Sequence, residues 1–307
     1  MQHLRGSQVA LVTPMHSDGA IDQDGFARLI DWHADRGTTA VVVAGTTGES
    51  PTLTTAEKLG LFRRAVSEAR GRLPIIAGTG SSSTAATVDL TRQAADTGVD
   101  AVLVVTPSYN RPTQEGLFCH FSAVADASAV PVLLYNVPGR TGCDLLPATV
   151  ARLAAHPRIV GIKEATGGVA RPREIRQLCD EEFLILSGDD PTACEMLLDG
   201  GDGVISVTAN IAPAVMREMC EAALRADRAG ACAADARLRE LHSALFVEAN
   251  PMPVKWALAR LGLIQNGIRL PLTPLDDSHE RAMESALVTA GILPDDVTGA
   301  VTDARSV

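Results

Sequence analysis

RIVGIKEATG, residues 158–167, is a run of apolar and β-branched residues that ends on Lys163. Its apolar residues are continuous, not alternating, which is the pattern of a parallel strand covered on both faces. A lysine closing such a run asks for a reason, because lysine is scarce in this chain. The basic residues are 24 arginines and three lysines, Lys58, Lys163 and Lys255.

Seven further runs share the pattern: VALVT (9–13), AVVVAG (40–45), PIIAG (74–78), AVLVV (101–105), VPVLLY (130–135), FLILSG (183–188) and GVISV (203–207). The intervals leave room for a helix between successive strands. Thr54 and Glu57 form a capping box ahead of KLGLFRRAVSEAR, and Ser83 or Thr84 caps a helix that stops by Gly98. Eight β/α units fit a (β/α)8 TIM barrel better than an open doubly wound sheet. The strand signal stops after about residue 226. ARLRELHSALF, PVKWALARLG and DSHERAMESALVTAG then read as helices. The expected division is a barrel over 1–226 and a C-terminal helical region over 227–307, with a disordered tail from about 295.

Composition narrows the function classes. A net charge of −10 and a pI near 5.2 disfavour a nucleic-acid or anionic-membrane partner. No stretch approaches the length of a membrane span, and the first residues lack the pattern of a signal peptide. The six cysteines are scattered without a C-x-x-C pair, and the histidines show no metal spacing. These features suggest a cytoplasmic protein with reduced thiols and no metal.

A barrel of this class carries its active site at the carboxyl ends of its strands. One strand ends on Lys163. The chain has two tyrosines, Tyr109 and Tyr135, and both stand at such ends. Adjacent strand residues face opposite sides, so Glu164 is poorly placed to neutralise Lys163. Burial disfavours the ammonium form, and a neutral amine in a barrel mouth is a carbonyl nucleophile, hence a Schiff-base candidate. The G-x-G of PIIAGTGSSS faintly suggests a dinucleotide fingerprint. Its third glycine is replaced by Ser83, and no acidic residue closes a second strand at the required distance.

GTTGES (45–50), TPSYNRP (106–112), LYNVPGRTG (134–142), GIKEATG (161–167), LSGDD (186–190) and GVISVTAN (203–210) together resemble the pyruvate-dependent class I aldolase-type barrels of the N-acetylneuraminate lyase superfamily. More narrowly, they resemble the dihydrodipicolinate synthases. The likeness runs from about residue 7 through LFVEANPMPVKWAL (245–258) to RLPLTP (269–274). It implies a lyase that condenses pyruvate with aspartate 4-semialdehyde on the route to diaminopimelate and lysine. Lys163 would form the imine, with Tyr135, Thr46 and Tyr109 as the hydroxyls of a proton relay. Tyr109 would reach in from a neighbouring subunit. Thr47, Ile205 and Gly188 match substrate-binding positions, the first two at the pyruvate carboxylate, and Arg140 matches the residue that holds the semialdehyde carboxylate. Read alone, Ile205 is core packing and Arg140 a surface arginine; the motif context reverses both readings. The resemblance further implies no cofactor beyond the imine, and a homotetramer built as a dimer of dimers.

The match departs at one place. Many relatives are inhibited by lysine held at the dimer interface among His, Asn, Glu and Tyr side chains. The matching positions here are Thr55, Lys58, Ser82, Ala86 and Ser108. Ala86 offers no acceptor for an ammonium group and Lys58 repels one, so weak or absent feedback is expected. Two alternatives share the barrel: a sugar-acid or sialic-acid lyase, and a non-catalytic keto-acid-binding member. The first is not expected to present Arg140 with Tyr109. The second is expected to lack the lysine or the relay hydroxyls.

Overall fold

The computed structural model describes residues 2–294 of the chain. Eight parallel strands close into a barrel in sequence order: β1 (Gly6–Ala10), β2 (Ala40–Val43), β3 (Ile75–Gly78), β4 (Ala101–Val105), β5 (Val132–Asn136), β6 (Ile159–Glu164), β7 (Leu184–Ser187) and β8 (Gly203–Ser206). β8 pairs with β1 from Gly6↔Gly203 to Val9↔Ser206, which completes the closure. The architecture is the TIM barrel expected from the eight apolar runs. The first strand is displaced from its expected place over 9–13. Its opening residues, Gly6, Ser7 and Gln8, are polar or small yet buried, and Val9 to Val12 carry the apolar signal beyond the last paired residue.

Between the strands run α1 (Gln23–Asp35), α2 (Thr55–Ala69), α3 (Thr84–Ala95), α4 (Gln114–Ala127), the single turn α5 (Pro138–Thr141), α6 (Pro147–Ala154), α7 (Ala170–Leu178), α8 (Asp190–Leu198) and α9 (Pro213–Leu224). The capping box forms as expected, with the Thr54 hydroxyl and the Glu57 carboxylate each accepting the other residue's backbone N–H. Ser83 caps α3. α10 (Arg228–Ala244), α11 (Met252–Arg260) and α12 (Asp277–Thr289) follow the barrel. The expected disordered tail lies outside the described residues. No described helix is long and apolar enough to cross a membrane.

Strand alternation sorts the side chains into two cores. Val9, Val41, Val43, Ile75, Val102, Val104, Val132, Leu134, Ile162, Ile185 and Val204 face the helices. Ala10, Val42, Ile76, Leu103, Leu133, Tyr135, Leu184, Leu186 and Ile205 fill the barrel. Both faces of each strand are therefore dry, which is why the runs are continuous. Inward-facing Tyr135 and Lys163 are register partners on β5 and β6, and outward-facing Asn136 and Glu164 are the next pair.

Candidate active site

The carboxyl ends of the strands open into a cavity of about 450 Å³. Lys163, Tyr135, Thr46, Thr47, Arg140 and Gly188 all line it. Lys163 is 6% exposed, and its Nζ lies 4.5 Å from the centroid of the Tyr135 ring. Among the described residues it has no ion-pair partner. Glu164 is engaged on the other face, accepting from Asn136 Nδ2 at 3.1 Å and from the Thr166 N–H at 2.8 Å. Asn136 also donates to Asp144, which Arg171 grips with two bonds of 2.9 Å. The strand pleat thus keeps this carboxylate from the amine, as the alternation predicts.

Burial is the largest influence on Lys163 and pushes its pKa down from 10.5 to about 8. The Asp190 charge works against this, and the Arg140 charge works with it. Asp190 is itself held by the β8 turn, where its Oδ2 accepts the Val207 and Thr208 N–H groups at 2.9 Å each. Tyr135 is driven the other way, to about 12, chiefly by burial; Arg140 and the Thr46 side chain pull it back. The site therefore holds a phenol that keeps its proton beside an amine that readily gives its proton up. That pairing suits carbinolamine chemistry, in which protons pass between nitrogen, oxygen and water.

Two of the residues singled out in the sequence are not brought to this cavity. Tyr109 is 96% exposed, with its backbone in the left-handed region at φ 72°. Ile205 is 1% exposed within the barrel filling and does not line the cavity. The G-x-G of the β3 turn has a packing cause. A Cβ on Gly78 would lie 2.4 Å from the Ala44 carbonyl oxygen, and one on Gly80 would lie 2.6 Å from the Val105 nitrogen.

Sequence reasoning missed the contribution of the segment after α10. Phe246 and Asn250 line the cavity. Asn250 Nδ2 donates to Thr47 Oγ1 at 2.9 Å, and its carbonyl accepts from Arg140 at 3.4 Å. Nothing in the spacing of LFVEANP marks Asn250, because the contact spans 203 residues. Lys255 did carry a signal, as one of three lysines.

Residues 3–290 match the model of the dihydrodipicolinate synthetase family. The chain is 57% identical over 290 residues to the 4-hydroxy-tetrahydrodipicolinate synthase of Methylococcus capsulatus, covering 94% of this chain and all of that one. Among solved structures, it superposes on a chloride-inhibited dihydrodipicolinate synthase from Acinetobacter baumannii complexed with pyruvate. There the TM-score is 0.93 at 49% identity, over 94% of this chain and 100% of that chain. A dihydrodipicolinate synthase from Cyanidioschyzon merolae with lysine bound gives a TM-score of 0.92 at 38% identity, over 95% and 99%. The eight-stranded barrel, the lysine at its mouth and these matches agree: the chain belongs to the dihydrodipicolinate synthetase family.

Proposed function

We propose that the chain is a 4-hydroxy-tetrahydrodipicolinate synthase that condenses pyruvate with aspartate 4-semialdehyde through an imine on Lys163. The observation that carries this reading is the unpaired, buried Lys163 amine set against Tyr135 in the cavity. The neutral amine adds to the pyruvate ketone to give a carbinolamine, and loss of water gives the imine. The imine draws electrons from the methyl carbon, which loses a proton and becomes an enamine. The enamine carbon bonds to the aldehyde carbon, and the aldehyde oxygen takes up a proton. The semialdehyde's own amine then displaces Lys163. The imine is the electron sink, so no step calls for a metal or a resident cofactor.

Tyr135 and Thr46 are assigned to the proton relay, Thr47 and Ile205 to the pyruvate carboxylate, and Gly188 to substrate binding. Arg140 takes the semialdehyde carboxylate, which suits a guanidinium fork. Tyr109 points to solvent in a single chain, so the reading assigns it to the relay of a neighbouring copy. That requires at least a dimer, and a homotetramer is the proposed assembly. A cytoplasmic setting suits a biosynthetic enzyme of this kind. The test is turnover: purified protein given both substrates should release the cyclic product, whereas cleavage of sialic acid without condensation would overturn the reading.

The amine's pKa sets a pH dependence. A free lysine is neutral in about one of 2,500 molecules at pH 7. At a pKa of about 8 the fraction is about one in ten. The value of kcat/KM for pyruvate should rise roughly tenfold between pH 7 and a plateau above about pH 9. A profile still climbing steeply past pH 10 would show an unperturbed amine.

Feedback by lysine is expected to be weak or absent. Lys58, Ser82 and Ser108 line the cavity, with the Ser82 and Ser108 hydroxyls 3.0 Å apart. An added lysine would meet the Lys58 ammonium there and find no carboxylate among these side chains. Half-inhibition at submillimolar lysine in a steady-state assay would contradict this.

A further inference from the structure

Two of the three lysines of this chain, Lys58 and Lys163, line the cavity; the third, Lys255, stands on α11 and is 1% exposed. Lys255 Nζ bonds to Glu49 Oε1, and Glu49 is likewise 1% exposed. The second oxygen of Glu49 accepts the Arg269 backbone N–H at 3.2 Å. Two charges held this far from water are costly to keep, and a pair of this kind is best explained by something it fixes.

What it fixes lies two residues away. Glu49 stands in the turn after β2 with its backbone at φ 58°, in the left-handed region. Its N–H donates to the Thr46 carbonyl at 3.0 Å, which closes the turn around Thr47. From the same segment as Lys255, Asn250 donates to the Thr47 hydroxyl at 2.9 Å. The stretch 250–255 therefore grips one tight turn twice, once at Thr47 and once at Glu49. A lysine suits this better than an arginine would. Its compact ammonium serves one carboxylate oxygen and leaves the other for the Arg269 N–H, whereas a guanidinium fork would claim both.

We infer that Glu49 and Lys255 are positioning residues for the pyruvate half of the reaction, their buried pair holding Thr47 where its hydroxyl meets the keto-acid carboxylate. The inference rests on the assignment of Thr47 to pyruvate made under the proposed function. It separates this pair from one that only stabilises the fold: Arg140, assigned to the semialdehyde, sits on α5 and meets the 250–255 stretch at its far end, through a 3.4 Å bond to the Asn250 carbonyl, whereas Glu49 and Thr47 share one turn.

The double variant Glu49→Gln/Lys255→Met removes both charges together and leaves no buried ion without a partner. Steady-state kinetics with each substrate varied should show kcat/KM for pyruvate falling about 10- to 100-fold. The value for the semialdehyde should fall by less than about threefold. A loss of folded protein would instead lower both in proportion, and that outcome, or an unchanged pyruvate value, overturns the inference. Glu49→Asp, which keeps the charge and withdraws it by one methylene, is measured alongside in case the double variant does not fold. It should show the same selectivity at a smaller fall of about three- to tenfold, and a proportional fall in both values again overturns the inference. Borohydride trapping of pyruvate on the unaltered protein is the control. Absence of a wild-type adduct would remove the underlying reading, whereas an adduct with unselective variants removes only the positioning role.

Discussion

Lys163→Met is expected to abolish condensation and, at the same time, to make the protein more stable. The first effect follows from loss of the proposed nucleophile, which Lys58, the other lysine lining the cavity, cannot replace from its place on α2. Turnover should fall by at least about 10⁴-fold. The second follows from linkage. The amine titrates near 10.5 in the unfolded chain and at about 8 when folded. Between those values the unfolded state holds more protons, so folding is opposed by the ammonium form. The cost is present in full below about pH 8 and fades as pH rises to 10.5. The difference corresponds to about 3 kcal/mol at pH 7. Methionine has a similar length and no charge, so urea unfolding at pH 7 should show a gain of about 1–3 kcal/mol that disappears by about pH 10.5. A variant less stable than wild type at pH 7 would mean that Lys163 is not held against its charge.

Gly188→Ala should be nearly as damaging, although the change adds one methyl group. A Cβ at this position would lie 2.7 Å from Ala165 Cβ, 2.9 Å from Lys163 Cε and 3.1 Å from Lys163 Cγ. The Gly188 N–H is tied to the Glu164 carbonyl at 2.7 Å, so the backbone cannot easily retreat. The lysine stem must move instead, carrying Nζ away from Tyr135. We expect kcat/KM for pyruvate to drop by about 100-fold, with a loss of stability of about 1–3 kcal/mol. Adding Ala165→Gly removes one clash and leaves those with Lys163. The double variant should therefore recover stability without recovering the rate of imine formation. Recovery of both would show that Gly188 serves packing alone.

The extent to which the sequence foretold this molecule follows its physics. The barrel was legible because both faces of each strand are dry, which writes continuous apolar runs such as AVVV (40–43) and AVLVV (101–105). β1 was misplaced because Ser7 and Gln8 are buried polar residues, a state that composition alone does not disclose. Lys163 and Tyr135 were legible as strand ends, but their side-by-side register depends on how two distant strands align. The part played by Asn250, and the pairing of Glu49 with Lys255, were not legible: each contact spans more than 200 residues, and no local spacing encodes it. Tyr109 was legible as one of two tyrosines, yet its place in the proposed site depends on a second copy.

Intact-protein mass after borohydride reduction in the presence of pyruvate tests the central claim most directly, with wild type and Lys163→Ala compared. Reduction fixes the imine as a secondary amine, so the gain equals the mass of pyruvic acid less one oxygen atom. The account predicts that gain on wild type, located to the peptide containing Lys163, and none on the variant. No gain on wild type, or an equal gain on both proteins, would contradict it.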